Sequence, residues 1–393
     1  MGLVKNRVLA VLAVAGLGAA LGLPFVTHAP NRLVPGTGIM LAHLVGGAAG
    51  GLFWLALLST LLLLVSIFMR PTRGVHVAVW LAATLLLSSL AALAALAAQQ
   101  ATQLAGEASA IARTSLGGAF WILAALSWLA AADALGRLAL PPLWRMLGAG
   151  AILAPLALLL AGGTFHDLSL LKEYANRQDV FSAALWQHVQ IVLFSLLPAL
   201  LIGVPLGIAS SRMRALRGPL FAVLNVIQTV PSIALFGLLM APLALLAASV
   251  PVLAQLGVKG IGMTPAVIAL TLYALLPIAR SSAAGLSQVP PAVIEAAQGM
   301  GLTPEQIFWR VELPLALPVL LSGLRVATVQ TTGMAVVAAL IGAGGFGALV
   351  FQGLGSGALD VVLLGVLPVV AMAVAVDAVL KALAMALTRE SLD

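Results

Sequence analysis

EAAQGMGLTPEQIFWRVELP, residues 295–314, is a polar passage set in an otherwise oily chain. It holds Glu295, Glu305, Arg310 and Glu312 together with a cluster of helix-ending signals, and the sequence on either side is rich in Leu and Ala. Of the 393 residues 62% are hydrophobic and only 8% charged, against roughly 25% charged in soluble domains. Such a chain belongs in a bilayer. Lipid offers no hydrogen bonds to a bare backbone, so only helices or closed barrels cross it, and apolar runs of about 20 residues select helices. The expectation is an all-α polytopic membrane protein of about ten transmembrane helices.

The ten expected spans are 8–27, 46–69, 75–98, 118–136, 146–164, 188–210, 219–247, 264–286, 316–341 and 360–386. An even number leaves both termini on one side. With that side cytoplasmic, only Arg32, Arg113, Lys172, Arg177 and Lys259 of the 19 basic residues fall outside. This positive-inside bias accounts for the net charge of +7 without nucleic acid. The basic start and first apolar run read as a span rather than a cleaved signal, because no small-residue cleavage site follows cleanly before Pro30. Cysteine is absent, and His28, His43, His76, His166 and His188 lack metal-ligand spacing, so neither disulfide nor metal chemistry is expected.

FHDLSLLKEYANRQDVFSAALWQH interrupts the spans near 165–187, and its apolar residues recur at helical spacing. The expected organisation is a transmembrane extension over 1–165, an external linker over 166–181, a second membrane domain over 182–387 and a cytoplasmic tail over 388–393. The second domain differs from the first. Its apolar runs carry repeated Gly and Pro, as in LLPALLIGVPLGIAS and NVIQTVPSIALFGLLMAP, breaks tolerated only where neighbours or a cavity satisfy the freed backbone.

Within a cytoplasmic loop over 286–314, Pro290 and Pro291 open a short helix and Gly301 supplies the left-handed residue that ends it. Thr303 then reads as the N-cap of a second helix, with Pro304 at its first position and Gln306 as the capping-box partner. Leu313-Pro314 is expected to terminate that helix. Such a hairpin either covers the inner ends of the bundle or serves as a knob for a cytoplasmic partner.

A solute path needs polar side chains facing the bundle interior. Asn225, Gln228, Thr229 and Ser232 share one face at i, i+3, i+4 and i+7, and Gln330, Thr331 and Thr332 form a second set. Interhelical hydrogen bonding is the competing role for both. The run GAGGFGALVFQGLGSG, residues 342–357, reads as an external gate or re-entrant turn built on Gly342, Gly344, Gly345, Phe346 and Gly347, with a flexible connection as the alternative. Arg325 and Asp377 are the most costly residues within their spans and would neutralise each other if they met. A secondary transporter is the rival class, though few carboxylates lie in mid-span. A membrane enzyme lacks any catalytic constellation.

The pattern Glu295-Ala296-Ala297, Gly301, Val311 and Leu313-Pro314 resembles the EAA loop of binding-protein-dependent ABC importer permeases. LIGVPLGI, NVIQTVPSIALFGLL, TLYALLPIAR and AALIGAGGFGALVFQGL extend the resemblance to the type I permease core of importers for glycine betaine, choline and related quaternary amines. APNRLVPGTG, ATQLAGEASAIARTSLGGAFW and LSLLKEYANRQDVF are similar to the N-terminal module of long YehY-type permeases. The resemblance implies a multi-pass protein of the bacterial inner membrane that forms the pathway for an osmoprotectant, or in the alternative for another substrate. It further implies a cytoplasmic ATPase dimer docked at Glu295, Ala296, Ala297, Gly301 and Pro314. A periplasmic or membrane-anchored binding protein and a second permease subunit, identical or different, would complete the complex. No cofactor is expected in this chain: ATP and Mg would bind the partner, since none of Lys5, Lys172, Lys259 or Lys381 follows the glycine of a P-loop.

Overall fold

A computed structural model describes residues 4–31, 36–44, 46, 49–106 and 111–390. Arg32, parts of the APNRLVPGTG and ATQLAGEASAIARTSLGGAFW motifs, and residues 391–393 of the expected tail lie outside the described residues. The chain packs as two units, Met1–Asn176 and Arg177–Asp393.

The first unit contains helices α1 (Arg7–Gly22), α2 (Gly50–Ser66), α3 (Arg73–Ala105), α4 (Gly118–Arg137), α5 (Pro142–Ala161) and α6 (Ser169–Asn176), with strands β1 (Val26–Ala29), β2 (Thr37–Ile39) and β3 (Arg113–Leu116). The long α3 is its core. Ala83, Leu90, Leu93, Ala94 and Ala98 are buried on it, and alanines at helical spacing let α2 and α4 approach closely. The sheet was not legible in the sequence. Its order is β2-β1-β3, all antiparallel, with Val26 opposite both Ile39 and Leu116. Strands this short give no periodic signal; they are fixed by Phe25, fully buried and edge-on to Phe120 at 5.9 Å. The amphipathic stretch after the fifth helix does form a helix, α6, whose buried Glu173 lies 3.6 Å from Arg113 of β3. Beside this pair, burial pushes the Lys172 amine down from its ordinary pKa.

The second unit is all-helical: α7 (Gln178–Arg212), α8 (Arg214–Thr229), α9 (Ser232–Ser249), α10 (Pro251–Gln255), α11 (Met263–Ser287), α12 (Pro291–Gly299), α13 (Pro304–Ile307), α14 (Leu313–Met334), α15 (Phe346–Gly355) and α16 (Leu359–Glu390). Here α11 is central, packed against α7 and α14. A Cβ at Gly207 of α7 would stand 2.5 Å from the Ala279 carbonyl, and one at Gly323 of α14 would stand 2.8 Å from the Pro277 carbonyl. Glycine is therefore what lets three backbones meet, the usual device where lipid supplies no hydrophobic drive between helices.

Among the described residues, eight helices are long and apolar enough to cross a membrane, and α1, α2 and α15 are shorter apolar helices. Two expectations need correction. The span expected over 219–247 is broken: α8 ends at Thr229, Val230 and Pro231 are extended, and α9 starts at Ser232. Proline lacks the donor and pushes the preceding residue out of the helical region, so the break falls where the sequence places Pro231. Nor does Leu313-Pro314 end a helix. Residues Pro304–Met334 form one continuous helical rod through a π turn at Phe308–Glu312, in which the Leu313 N–H reaches the Phe308 carbonyl. The wider turn gives the Pro314 ring the room that an α turn would deny it.

Candidate coupling hairpin and translocation elements

The 286–314 loop folds as α12, a tight turn and the start of the α13–α14 rod. Gly301 has φ +83°. Its N–H donates to the Gln298 carbonyl at 2.9 Å, and the Leu302 N–H donates to the Ala297 carbonyl at 3.2 Å. These two bonds are a Schellman close, which consumes the orphan carbonyls at the end of α12. Thr303 then caps the next helix as expected: its hydroxyl accepts from the Gln306 N–H at 3.3 Å while the Gln306 side chain accepts from the Thr303 N–H at 2.9 Å. Glu295 and Ala296 are exposed, but Ala297 is 2% exposed and belongs to the hairpin's interior with Ile307. Pro314 is exposed in the first turn of α14.

The exit of the hairpin is tied to the bundle. Arg212, in the last turn of α7, donates to the carboxylate of Glu312, which is buried, and its guanidinium lies 6.0 Å from the centre of the Phe308 ring. A cation is also favoured at that helix end by the aligned peptide dipoles.

Of the expected pathway residues, Asn225, Gln228 and Thr229 lie on α8. Ser232 does not share their face, because the break at Val230-Pro231 interrupts the helical register. Asn225 accepts from Arg280 at 3.0 Å, and the Gln228 amide donates to the Tyr273 carbonyl at 2.8 Å, both on α11. Thr229 bonds its own helix at Val226. The buried Tyr273 hydroxyl returns the contact by donating to the Val230 carbonyl, a group freed by the helix break. The second set sits on α14 and meets a different neighbour. Gln330 contacts Met334, Thr331 and Thr332 are buried, and the Thr332 carbonyl accepts from Nε2 of His188 on α7 at 3.1 Å.

The glycine run is a packed turn followed by a helix. Gly342, Gly344 and Gly345 have positive φ, and α15 begins at Phe346. Gly345 donates its N–H to the Gln187 side chain at 3.0 Å. Phe346 is fully buried, with ring centres 5.2 Å from Phe181 and 5.6 Å from His188. A Cβ at Gly347 would stand 2.0 Å from the Val336 carbonyl. Elsewhere in the second unit, Arg325 of α14 and Asp377 of α16 form an ion pair.

Residues 199–389 match the model of the binding-protein-dependent transport system inner membrane component, and residues 5–171 match that of the N-terminal domain of the ABC transporter permease YehY. The osmoprotectant import permease protein OsmW of Salmonella typhimurium is 38% identical over 52% of this chain and 89% of its own. The chain belongs to the binding-protein-dependent ABC importer permeases. The choline transport system permease protein OpuBB of Bacillus subtilis is 36% identical over 50% of this permease and 82% of its own chain. A chain of the inward-facing MetNI methionine ABC transporter aligns with 54% of the permease and 98% of itself, at 23% identity and a TM-score of 0.47.

The permease is thus a multi-span transporter subunit and not an enzyme, and its family works with an ATPase and a substrate-binding protein. Tyr273, Gln187, His188 and Arg212 were missed in the sequence. For Tyr273 a signal existed: Pro231 within an apolar run frees carbonyls that some buried donor must meet. For Gln187 and His188 the adjacent polar pair at the mouth of an apolar run was the only cue.

Proposed function

We propose that this permease forms the path for glycine betaine, choline or a related quaternary amine. The observation that carries this reading is the naming of its relatives, which include osmoprotectant, choline and glycine betaine/carnitine/choline permeases. In this reading residues 182–387 are the transport domain, 1–165 the transmembrane extension, 166–181 an external linker and 388–393 part of a cytoplasmic tail, with both termini cytoplasmic. Glu295, Ala296 and Gly301 present the hairpin to a cytoplasmic ATPase dimer that binds ATP and Mg, while Ala297 and Pro314 fix its shape. Asn225, Gln228, Thr229, Ser232, Gln330, Thr331 and Thr332 line or brace the path. Gly342, Gly344, Gly345, Phe346 and Gly347 form its gate. A binding protein delivers the substrate, and a second permease subunit, identical or distinct, completes the membrane part.

The capped hairpin supports the coupling role, because a Schellman turn and a capping box hold a small knob rigidly and the Arg212–Glu312 pair links it to α7. The test is reconstitution with the ATPase and binding protein in proteoliposomes. Glycine betaine or choline should raise both ATP hydrolysis and uptake, whereas stimulation only by an unrelated solute such as methionine would overturn the substrate class. Cysteine labelling at Asn176, in a chain without native cysteine, checks the orientation: access from the cytoplasmic side only would reverse it.

A further inference from the structure

In the first unit α1 rests on α4 and α2 on α3, and a slot remains between α1 and α2. One end is closed where the Lys5 and Asn6 N–H groups both donate to the Ile67 carbonyl, at 2.9 and 3.1 Å. Leu41, in a short 3-10 turn ahead of α2, lines the other end. The cavity between measures about 160 Å³. Its walls run from Leu9 to Ala20 along α1 and from Phe53 to Leu64 along α2. At about 1.5 Å per residue, each wall is roughly 16 Å long. The slot is therefore elongated, and Leu17 and Leu57, both exposed, form an open lip.

Its chemistry is as restricted as its shape. Among the described residues the lining carries two hydroxyls, Thr60 and Ser127, which already donate to the Ala56 and Leu123 carbonyls of their own helices, at 2.9 and 2.7 Å. Water would find only the acceptor lone pairs of these two hydroxyls, on different helices, short of the two to four partners a buried water takes, and apolar cavities of this kind stay dry. Left empty, the walls would forgo dispersion contacts along their whole length. In a bilayer, the matter outside the lip is hydrocarbon. The closed end is basic. Lys5 and Arg7 flank one side of the Ile67 junction, Arg70 and Arg73 follow it on the other, all four are exposed, and the chain has no Asp or Glu before Glu107.

We propose that this slot holds one acyl chain of an anionic phospholipid, with its phosphate drawn to Lys5, Arg7, Arg70 and Arg73. Length, dryness and a lateral opening select a flexible hydrocarbon chain over a compact solute. The basic end selects a negative headgroup over a zwitterionic one.

The full chain, purified with its importer partners and stripped of lipid, is exposed to mixed micelles of phosphatidylglycerol or of phosphatidylcholine with the same acyl chains. Lipid kept after washing is then quantified by mass spectrometry. Wild type should keep roughly one phosphatidylglycerol per permease and several-fold less phosphatidylcholine. Ala13→Trp and Thr60→Phe, which fill the slot from opposite walls, should each reduce retained phosphatidylglycerol by about fivefold or more, near 1 kcal/mol, with ATPase copurification unchanged. Lys5→Gln with Arg70→Gln, both on the surface, should abolish the preference between the two lipids even if a filled slot disturbs folding. Equal retention in filled and wild-type slots, no retention by wild type, or a preference that survives the charge removal would each overturn the assignment.

Discussion

Arg212, the last residue of α7, is paired with the buried carboxylate of Glu312 at the root of the hairpin, 100 residues further along the chain. The pair ties the end of one span to the entrance of another. Arg212→Leu would leave a buried carboxylate without its cation and should cost about 2 kcal/mol, the arginine being half exposed. The expected outcome is a lower melting temperature of the purified complex and weaker stimulation of ATP hydrolysis by loaded binding protein. Glu312→Gln, which keeps an acceptor, should be milder. An unchanged melting temperature in Arg212→Leu would reduce the pair to a surface contact.

Arg325 and Asp377 neutralise each other between α14 and α16. A lone charge in a span costs about 2.5 to 3.5 kcal/mol on insertion scales. Arg325→Leu or Asp377→Leu alone should therefore lower the amount of protein in the membrane several-fold, and the double variant should recover it. If the double variant is no better than either single one, the two charges act separately.

Gly301 offers a cleaner test than most turn residues. Among the described residues, its two chain neighbours apart, no atom lies within 4 Å of where its Cβ would sit, so the backbone angle is what opposes a side chain. Val at φ +83° should cost about 1 to 2 kcal/mol, whereas Asn tolerates the left-handed region. Gly301→Val should insert normally yet lose most ATPase stimulation and copurification, and Gly301→Asn should keep both. Equal behaviour of the two variants would show that the turn is not what matters.

Tyr273 and the α8 break clasp each other twice, once by the phenol to Val230 and once by Gln228 to the Tyr273 carbonyl. Tyr273→Phe and Gln228→Leu should each lower uptake, and their effects should be non-additive by about 0.5 kcal/mol or more in a double-mutant cycle. Measured beside ATPase copurification, the cycle separates a role in transport from one in assembly. Loss of the complex before loss of uptake would favour interhelical bracing alone.

At the glycine turn, Gln187→Leu would strip the Gly345 N–H of its acceptor, at a cost of about 1 to 3 kcal/mol if no water replaces it. Uptake in proteoliposomes should fall about tenfold or more, while Gln187→Glu, which keeps an acceptor, should retain more activity. Wild-type uptake in Gln187→Leu would dismiss this contact from the proposed gate.

Local chemistry was the legible part. Gly301, Thr303, Pro304 and Gln306 could be assigned to a left-handed turn and a capping box because each signal acts within four residues. The membrane-spanning character followed from apolar run length, which needs no partner to interpret. What stayed hidden depended on distant partners. Glu312 is held by Arg212, 100 residues away, and Ala297, expected at the docking surface, is buried. Pro231 and Pro314 show the limit from the other side. One breaks its helix and the other is absorbed by a widened turn, and nothing within a few residues of either proline distinguishes the two cases.

The small sheet of the first unit sets an order of events during synthesis. β1 can pair with β2 as soon as both have emerged, but its other edge waits for β3, with His28 and Thr114 separated by 86 residues. At about 5 to 20 residues per second, that wait lasts roughly 4 to 17 s. For that interval a nascent strand edge stands open while α2 and α3 are still being inserted. A ribosome pause between α3 and β3 would lengthen that exposure, and an unpaired strand edge is a surface on which another chain can pair.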